Sequence, residues 1–257
     1  MLTVINSKEG RILVSDKDKY IGRSFIEYGE FSRGEVELFE FAICKQDVVA
    51  DIGANFGAHT LVFSRLAKTV YAVEPQRMVY NALCGTLALN DITNVIAVNC
   101  AIGETSGAIG CVNIDPNVEN NFGGMGLREL PTESIEYTIP LLPFTSHVNF
   151  MKVDVEGMEV EVIKGSAEMI KACRPTIYIE NDRKDHSEEL IKLLQSLGYH
   201  CHWHLTSLFS GDNYFDNKVD VFPGITSLNM LCIQQDIIIP GMQKVTAPLF
   251  PNYEYTQ

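Results

Sequence analysis

Val48-Val49-Ala50-Asp51-Ile52-Gly53-Ala54-Asn55-Phe56-Gly57, taken with Val70-Tyr71-Ala72-Val73-Glu74, decides the fold. Val48 to Ile52 is a short apolar run carrying an acid near its end. Gly53 to Gly57 turns the chain, His59 to Leu66 reads as a helix, and Val70 to Glu74 is a second apolar run closed by an acid. Strand, glycine turn, helix and strand make a βαβ unit. Sheets of this kind bind ligands beyond the carboxyl ends of their strands, where Asp51 and Glu74 are expected.

The turn limits what that ligand can be. Gly53 and Gly57 let a ligand approach the backbone, and the following helix offers free amide groups that favour an anionic group. A pyrophosphate would call for G-x-G-x-x-G, but the spacing here is Gly53-x-x-x-Gly57, with Asp51 two residues ahead. A carboxylate at that place repels phosphates and suits an ammonium. Glu74 follows about 20 residues on, the interval at which an acid takes ribose hydroxyls. A ligand with ammonium, carboxylate and ribose is S-adenosylmethionine. The plainer alternative is that Asp51 and Glu74 only cap turns.

Three strings carry a family resemblance: Asp51-Ile52-Gly53-Ala54-Asn55-Phe56-Gly57, Val73-Glu74-Pro75, and above all Phe150 to Gly165, FMKVDVEGMEVEVIKG. They resemble the FkbM family of S-adenosylmethionine-dependent methyltransferases, from about Tyr20 to about Ile233. The first two strings are shared by many class I methyltransferases, whereas Lys152 to Glu159 is far more specific. The resemblance implies an α/β, Rossmann-like class I methyltransferase fold. Its seven-stranded, mostly parallel sheet would be flanked by helices, with a β-hairpin insertion near 107–143. It implies one methyltransferase domain over 1–257, made of an N-terminal extension (1–44), a catalytic core (45–235) and a tail (236–257).

Composition agrees with an enzyme of that kind. A chain of 257 residues with 46% hydrophobic content can bury a good core. The formal net charge of -13 argues against a nucleic-acid backbone or an anionic membrane surface as partner, and an uncharged or cationic acceptor fits better. Seven cysteines without a C-x-x-C pair match no zinc pattern and read as reduced thiols of a cytoplasmic protein. No apolar run approaches the length of a membrane span, and Met1 to Gly10 has no signal-peptide layout. A homo-oligomer is compatible with all of this.

Along the rest of the chain, Met1 to Asp18 suggests a hairpin around Lys8-Glu9-Gly10, and Glu35 to Ile43 a helix before the first strand. Pro75 is expected to open a helix through Asn90, and Asn94 to Cys100 to form the third strand. By the resemblance, the turn at Asn99, Cys100 and Ala101 borders the adenine through backbone or apolar contact, since no acid stands there. Gly107 to Pro143 is polar and turn-rich, through Asn113, Asn120, Asn121, Gly123 and Gly126. The family has a similar Asn-Gly-Gly element, which makes Asn120, Asn121 and Phe122 candidates for substrate contact; a plain surface hairpin is the alternative. Val148 to Asp154 is the fourth strand, Met158 to Ala172 a single helix, Pro175 to Glu180 a fifth strand, and His186 to Leu197 a helix closed by Gly198. Tyr199–Leu205 and Ser227–Ile233 form a final antiparallel pair.

The chemistry concentrates at the end of the fourth strand, which in class I methyltransferases faces the methyl group. The resemblance implies O-methylation of a sugar or natural-product acceptor, which requires alignment and a base, and Asp154 and Glu156 are the candidates. Crowding the two acids would raise one pKa. Cofactor contacts are expected from Asp51, Gly53, Asn55, Gly57, Glu74, Cys100, Ala101 and Asp154. Glu159 either pairs with Lys152 or faces solvent. No metal is required, although Asp154, Glu180 and Asn181 would make an oxygen set suited to Mg2+. His200, His202 and His204 alternate along one strand and more often end in hydrogen bonds than on a metal, and His59 reads as a packing residue. Two rivals stand beside this reading. One is a non-catalytic S-adenosylmethionine-binding module. The other is a nicotinamide-dependent oxidoreductase, which the missing G-x-G-x-x-G disfavours.

Overall fold

The apolar runs of the sequence become neighbouring strands of one sheet, and the periodic segments cover its faces. The computed structural model describes residues 1–111, 115, 117–124, 134–139, 145 and 147–251. The chain opens with an antiparallel hairpin, β1 (Leu2–Ser7) and β2 (Gly10–Ser15). Helices α1 (Ile21–Tyr28) and α2 (Arg33–Ala42) follow; α1 has no counterpart in the sequence reading. Then come β3 (Val48–Ile52), α3 (Ala58–Leu66), β4 (Thr69–Val73), α4 (Arg77–Leu89) and β5 (Val95–Val98). Proline does not open α4: the helix begins two residues after Pro75, because the Glu74 carboxylate draws in the Gln76 amide and makes a turn there.

Beyond β5 the chain leaves the main sheet. Strands β6 (Ala101–Ile102), β7 (Gly107–Cys111) and β8 (Ser134–Ile139) form a separate three-stranded sheet in the order β6-β8-β7, with β7 and β8 as the expected hairpin. Asn113 and Gly126 of that insertion lie outside the described residues, as does the end of the tail, 252–257. The chain returns as β9 (Phe150–Val153), α5 (Glu159–Gly165), α6 (Ala167–Cys173), β10 (Thr176–Glu180), α7 (Lys184–Ser196), β11 (His200–Ser207), β12 (Thr226–Ile233) and β13 (Gln243–Lys244). The single helix read over Met158 to Ala172 is thus two. It breaks at buried Ser166, where a Cβ on the preceding Gly165 would overlap the Gly103 carbonyl at 1.9 Å.

The main sheet runs β13-β11-β12-β10-β9-β3-β4-β5. Strands β10, β9, β3, β4 and β5 are parallel, and β12 and β11 close the sheet as the antiparallel pair. The eighth strand, β13, is two residues of the tail added to the β11 edge. Side-chain alternation then sorts the core. Val49, Phe150, Tyr178 and Leu231 meet α2 and α3, with Phe39 edge-on to both Phe150 and Tyr178. Ala50, Met151, Val153 and Ile177 meet α5, α6 and α7 on the other face. No helix among the described residues is long and apolar enough to cross a membrane, and no disulfide joins the described cysteines.

Connections run from β3 outward to β4 and β5, and later from β9 outward to β10 in the opposite direction. The gap between the carboxyl ends of β3 and β9 is therefore the switch point of the topology, where open α/β sheets hold their ligands.

Candidate active site

The bend after β3 rests directly on the end of β9. Gly53 has φ +83°, and a Cβ there would lie 1.8 Å from the Asp154 carbonyl oxygen, so only glycine fits. Gly53 and Ala54 donate their amides back to the Val73 carbonyl, which ties the bend to β4. Asn55 sits in the left-handed region at φ 52° and donates its amide to Glu74 Oε2 at 3.0 Å, while Gln76 donates to Oε1 at 2.7 Å. Glu74 is buried, and burial pushes its carboxyl up to about 7 against the pull of these two amides.

Two cavities meet at this bend. The smaller, about 500 Å³, is walled by Ile52, Val73, Cys100, Ala101, Ile102 and Met158, with Glu74, Asp154 and Glu156 as its acids. The larger, about 1320 Å³, takes in Glu35, His59, Lys152, Glu180, Asp182 and Asn229. Gly53, Asn55, Glu74, Gly123, Asp154 and Glu156 line both.

Of the expected cofactor residues, Gly53, Asn55, Glu74, Cys100, Ala101 and Asp154 line the smaller cavity. Asp51 and Gly57 line neither. The Asp51 carboxylate is fully buried: Oδ2 accepts the Thr60 hydroxyl at 2.6 Å, and Oδ1 has the Lys152 ammonium at 3.9 Å with no hydrogen bond. Gly57, at φ 94°, starts α3 and packs against Leu83. Asn99 donates its side-chain amide to the carbonyls of Glu74 and Pro75 at 2.8 Å each.

The insertion contributes unequally. Phe122 is buried, packs against Phe56 and lines the smaller cavity; Asn121 lines the larger one; Asn120 is exposed and lines neither. Buried Asp18 holds the insertion in place, accepting the amides of Phe122 at 2.9 Å and Gly22 at 2.8 Å. This anchor from the N-terminal extension escaped the sequence reading, because a lone Asp after a hairpin looks like any turn residue.

The acids beyond β9 and β10 stand close together. Asp154, Glu156 and Glu180 each offer an oxygen within 4.8 Å of the others, a set that could hold a hard cation. Glu156 therefore stands where Asn181 was expected: the Asn181 amide points instead to the Met230 sulfur at 3.4 Å. Glu156 has φ 57°, strained for a residue with a side chain, and its Oε2 accepts from Arg183 at 2.8 Å. Burial, then the charges of Asp154 and Asp182, push the Glu156 carboxyl up to about 8, although Arg183 pulls the other way. Burial and the same neighbours hold Glu180 well above the usual carboxylate range, and its Oε2 is buried without a hydrogen-bond partner. Glu159 neither pairs with Lys152 nor faces solvent. It is buried, and its Oε1 accepts the amides of Gly157 at 3.1 Å and Val155 at 3.3 Å, because the turn after β9 leaves those donors open.

The histidines are occupied elsewhere. His202 contacts the Ile237 carbonyl at 2.9 Å and His204 the Tyr178 hydroxyl at 2.9 Å, while His200 lies 3.9 Å from Asp236. His59 packs edge-on to Phe39 as a core residue, yet its Nε2 reaches within 3.3 Å of Glu35 Oε2 and it lines the larger cavity. Burial depresses the His59 imidazole well below its usual value and pushes Glu35 up to about 7. Glu35, Lys152 and Asp182 are the chamber groups that sequence reasoning did not assign, whereas Glu180 was expected only as a ligand to Mg2+. Only Lys152 carried a signal, as a cation inside an otherwise apolar strand of a parallel sheet.

Comparison with known proteins gives one family match. Residues 51–201 match the family described as the methyltransferase FkbM domain. Methyltransferase sdnD of Sordaria araneosa is 28% identical over 204 residues, 64% of this chain and 78% of that protein. The crystal structure of methyltransferase FkbM from Methylobacillus flagellatus aligns with a TM-score of 0.48 at 17% identity. The match covers 72% of this chain and 43% of that one, so the chain spans less than half of that protein. The structure of M. jannaschii TYW2 in complex with AdoMet aligns with a TM-score of 0.47 at 14% identity, over 95% of this chain and 87% of that chain.

Proposed function

The chain belongs to the FkbM methyltransferase family, and from that premise we propose that it moves a methyl group from S-adenosylmethionine to a hydroxyl oxygen of a small, uncharged or cationic acceptor, a sugar or natural product. The observation that carries this reading is the pair of cavities sharing a wall at Gly53, Asp154 and Glu156. A methyl donor and its acceptor need two adjoining sites with one opening between them, so that three atoms can align.

The smaller cavity suits the donor. Glu74 would take the ribose hydroxyls, since each of its oxygens accepts only one amide and a carboxylate has room for more. Cys100, Ala101 and Ile102 offer a flat apolar wall to the adenine, and Gly53 and Asn55 bring backbone to the methionyl end. Bound there, S-adenosylmethionine supplies a methyl group on a positively charged sulfur, which an acceptor oxygen takes in a single displacement.

The larger cavity suits the acceptor. Six carboxyls (Glu35, Glu74, Asp154, Glu156, Glu180 and Asp182) line it against one lysine, so a phosphate or carboxylate ligand would meet few cationic partners there. Glu156 is the base in this reading. A carboxylate whose pKa is raised toward neutrality accepts a hydroxyl proton more readily than an ordinary one. Asp154 orients the hydroxyl at the junction. Both carboxylates already have cationic partners, Arg183 and Lys152, so the reading needs no metal ion to balance them.

Calorimetry with S-adenosylmethionine and NAD, followed by transfer of labelled methyl to a panel of neutral, amino and phosphorylated sugars, tests the proposal. Binding of the sulfonium and label on a neutral or amino acceptor are expected. Preference for NAD, or label only on a phosphorylated acceptor or on RNA, would overturn it.

A further inference from the structure

Lys152 is an ammonium group inside the sheet. It sits on β9 between Met151 and Val153, is 4% exposed, and lies in register beside Asp51 of β3. A buried cation is costly unless its hydrogen bonds are met. Its Nζ is 3.1 Å from Asp154 Oδ2, 3.4 Å from the Gly53 carbonyl oxygen and 3.9 Å from Asp51 Oδ1. Burial alone would draw the ammonium's pKa down, but the carboxylates of Asp154, Asp51 and Glu35 more than offset it and keep the group charged.

The bland account makes Lys152 the counter-ion of buried Asp51. The distances favour Asp154 instead. Asp51 is beyond hydrogen-bond reach and already holds the Thr60 hydroxyl, whereas Asp154 and Gly53 are both within reach. Asp154 is also the partner that needs fixing. Its side chain is 37% exposed and stands where the two cavities join, so without a tether it would turn between rotamers.

We propose that Lys152 is a positioning residue, whose ammonium clamps the Asp154 carboxylate and the Gly53 carbonyl and so sets the shape of the junction between the two cavities. The clamp acts on both halves of the switch point, one contact on the β3 bend and one on the end of β9. It fixes Oδ2 of Asp154 and leaves Oδ1 for a ligand. This inference rests on the smaller cavity being the donor site.

The test uses S-adenosylhomocysteine as probe, on the full chain, with melting temperature measured alongside calorimetric affinity. K152M alone strands Asp51 without a cation and is expected to lower the melting temperature. The double variant D51N/K152M removes that buried anion together with its counter-ion. A melting temperature near the wild type, with affinity for the probe down about tenfold or more, is the expected result for a lost charged clamp. Wild-type affinity in the stable double variant would overturn the proposal and leave Lys152 as the counter-ion of Asp51. K152R keeps a cation beside Asp51 but reshapes the clamp, and it decides the matter if the double variant does not fold: weakened affinity supports the clamp, unchanged affinity overturns it. Failure of the wild-type chain to bind the probe at all would instead remove the donor-site reading on which the inference stands.

Discussion

The smaller cleft is walled by Ile52, Val73, Cys100 and Ile102, whereas the chamber across Gly53 is walled by Glu35, Lys152, Glu180 and Asp182. The cleft draws on the ends of successive parallel strands, β3, β4, β5 and β9. The chamber collects α1 and α2 from the start of the chain, the ends of β9 and β10, and β12 from near its finish. In the proposed reading the donor is common to a whole family of enzymes, so its site can be built into the strand ends. An acceptor differs, and its site is assembled from segments that vary independently of the sheet. The six shared residues, with Asp154 and Glu156 among them, are where the common part meets the private part.

The comparison breaks most sharply at Glu156. Glu156→Gln should cut turnover about 10²- to 10⁴-fold, the range lost with a general base, and leave S-adenosylhomocysteine affinity nearly unchanged. Equal losses in both would place Glu156 in the donor site and not at the reacting oxygen. Glu74→Ala should do the reverse, weakening S-adenosylhomocysteine about 10- to 100-fold through the loss of charged hydrogen bonds. Undiminished calorimetric affinity would take the ribose away from Glu74.

Titration separates the two sites next. Turnover should climb as pH rises through about 8, where Glu156 gives up its proton. Donor affinity should fall as pH drops through about 7, because a protonated Glu74 loses an acceptor. The sign for stability is opposite. The folded Glu74 carboxyl binds its proton more tightly than an unfolded one, whose value is 4.5. Its contribution is full below that pH and lost as pH rises through about 7. The free protein should therefore gain stability from this group in the range where it loses affinity, which melting curves and calorimetry across pH 5 to 8 can check. Smallest of all is the effect of a chelator. With Arg183 and Lys152 already paired to Glu156 and Asp154, EDTA should change turnover by less than about twofold. A large loss restored by Mg2+ would turn the three acids into cation ligands.

Much of the cleft could be read directly, because a strand, a glycine bend and an acid at a fixed interval are local features. Gly53, Asn55 and Glu74 were expected on that ground, and Asp154, Cys100 and Ala101 on the family resemblance; all six line the smaller cavity. The same local reasoning put Asp51 on the ligand, whereas burial and Thr60 turn it inward. It also read one helix over Met158 to Ala172, where the backbone of Gly103, some sixty residues earlier, lies against Gly165 and forces a break.

Periodicity and spacing by themselves determined the βαβ unit around Gly53 and set Glu74 at the carboxyl end of its second strand, since each depends on neighbours in the chain. Only the tertiary structure decided which charges meet. Glu35 beside His59 and Arg183 on Glu156 join different elements, and Lys152 meets Asp154, two residues on, rather than Glu159. The physical reason is that a charge inside a protein takes whichever partner packing brings within hydrogen-bond reach, and packing is a property of the whole fold.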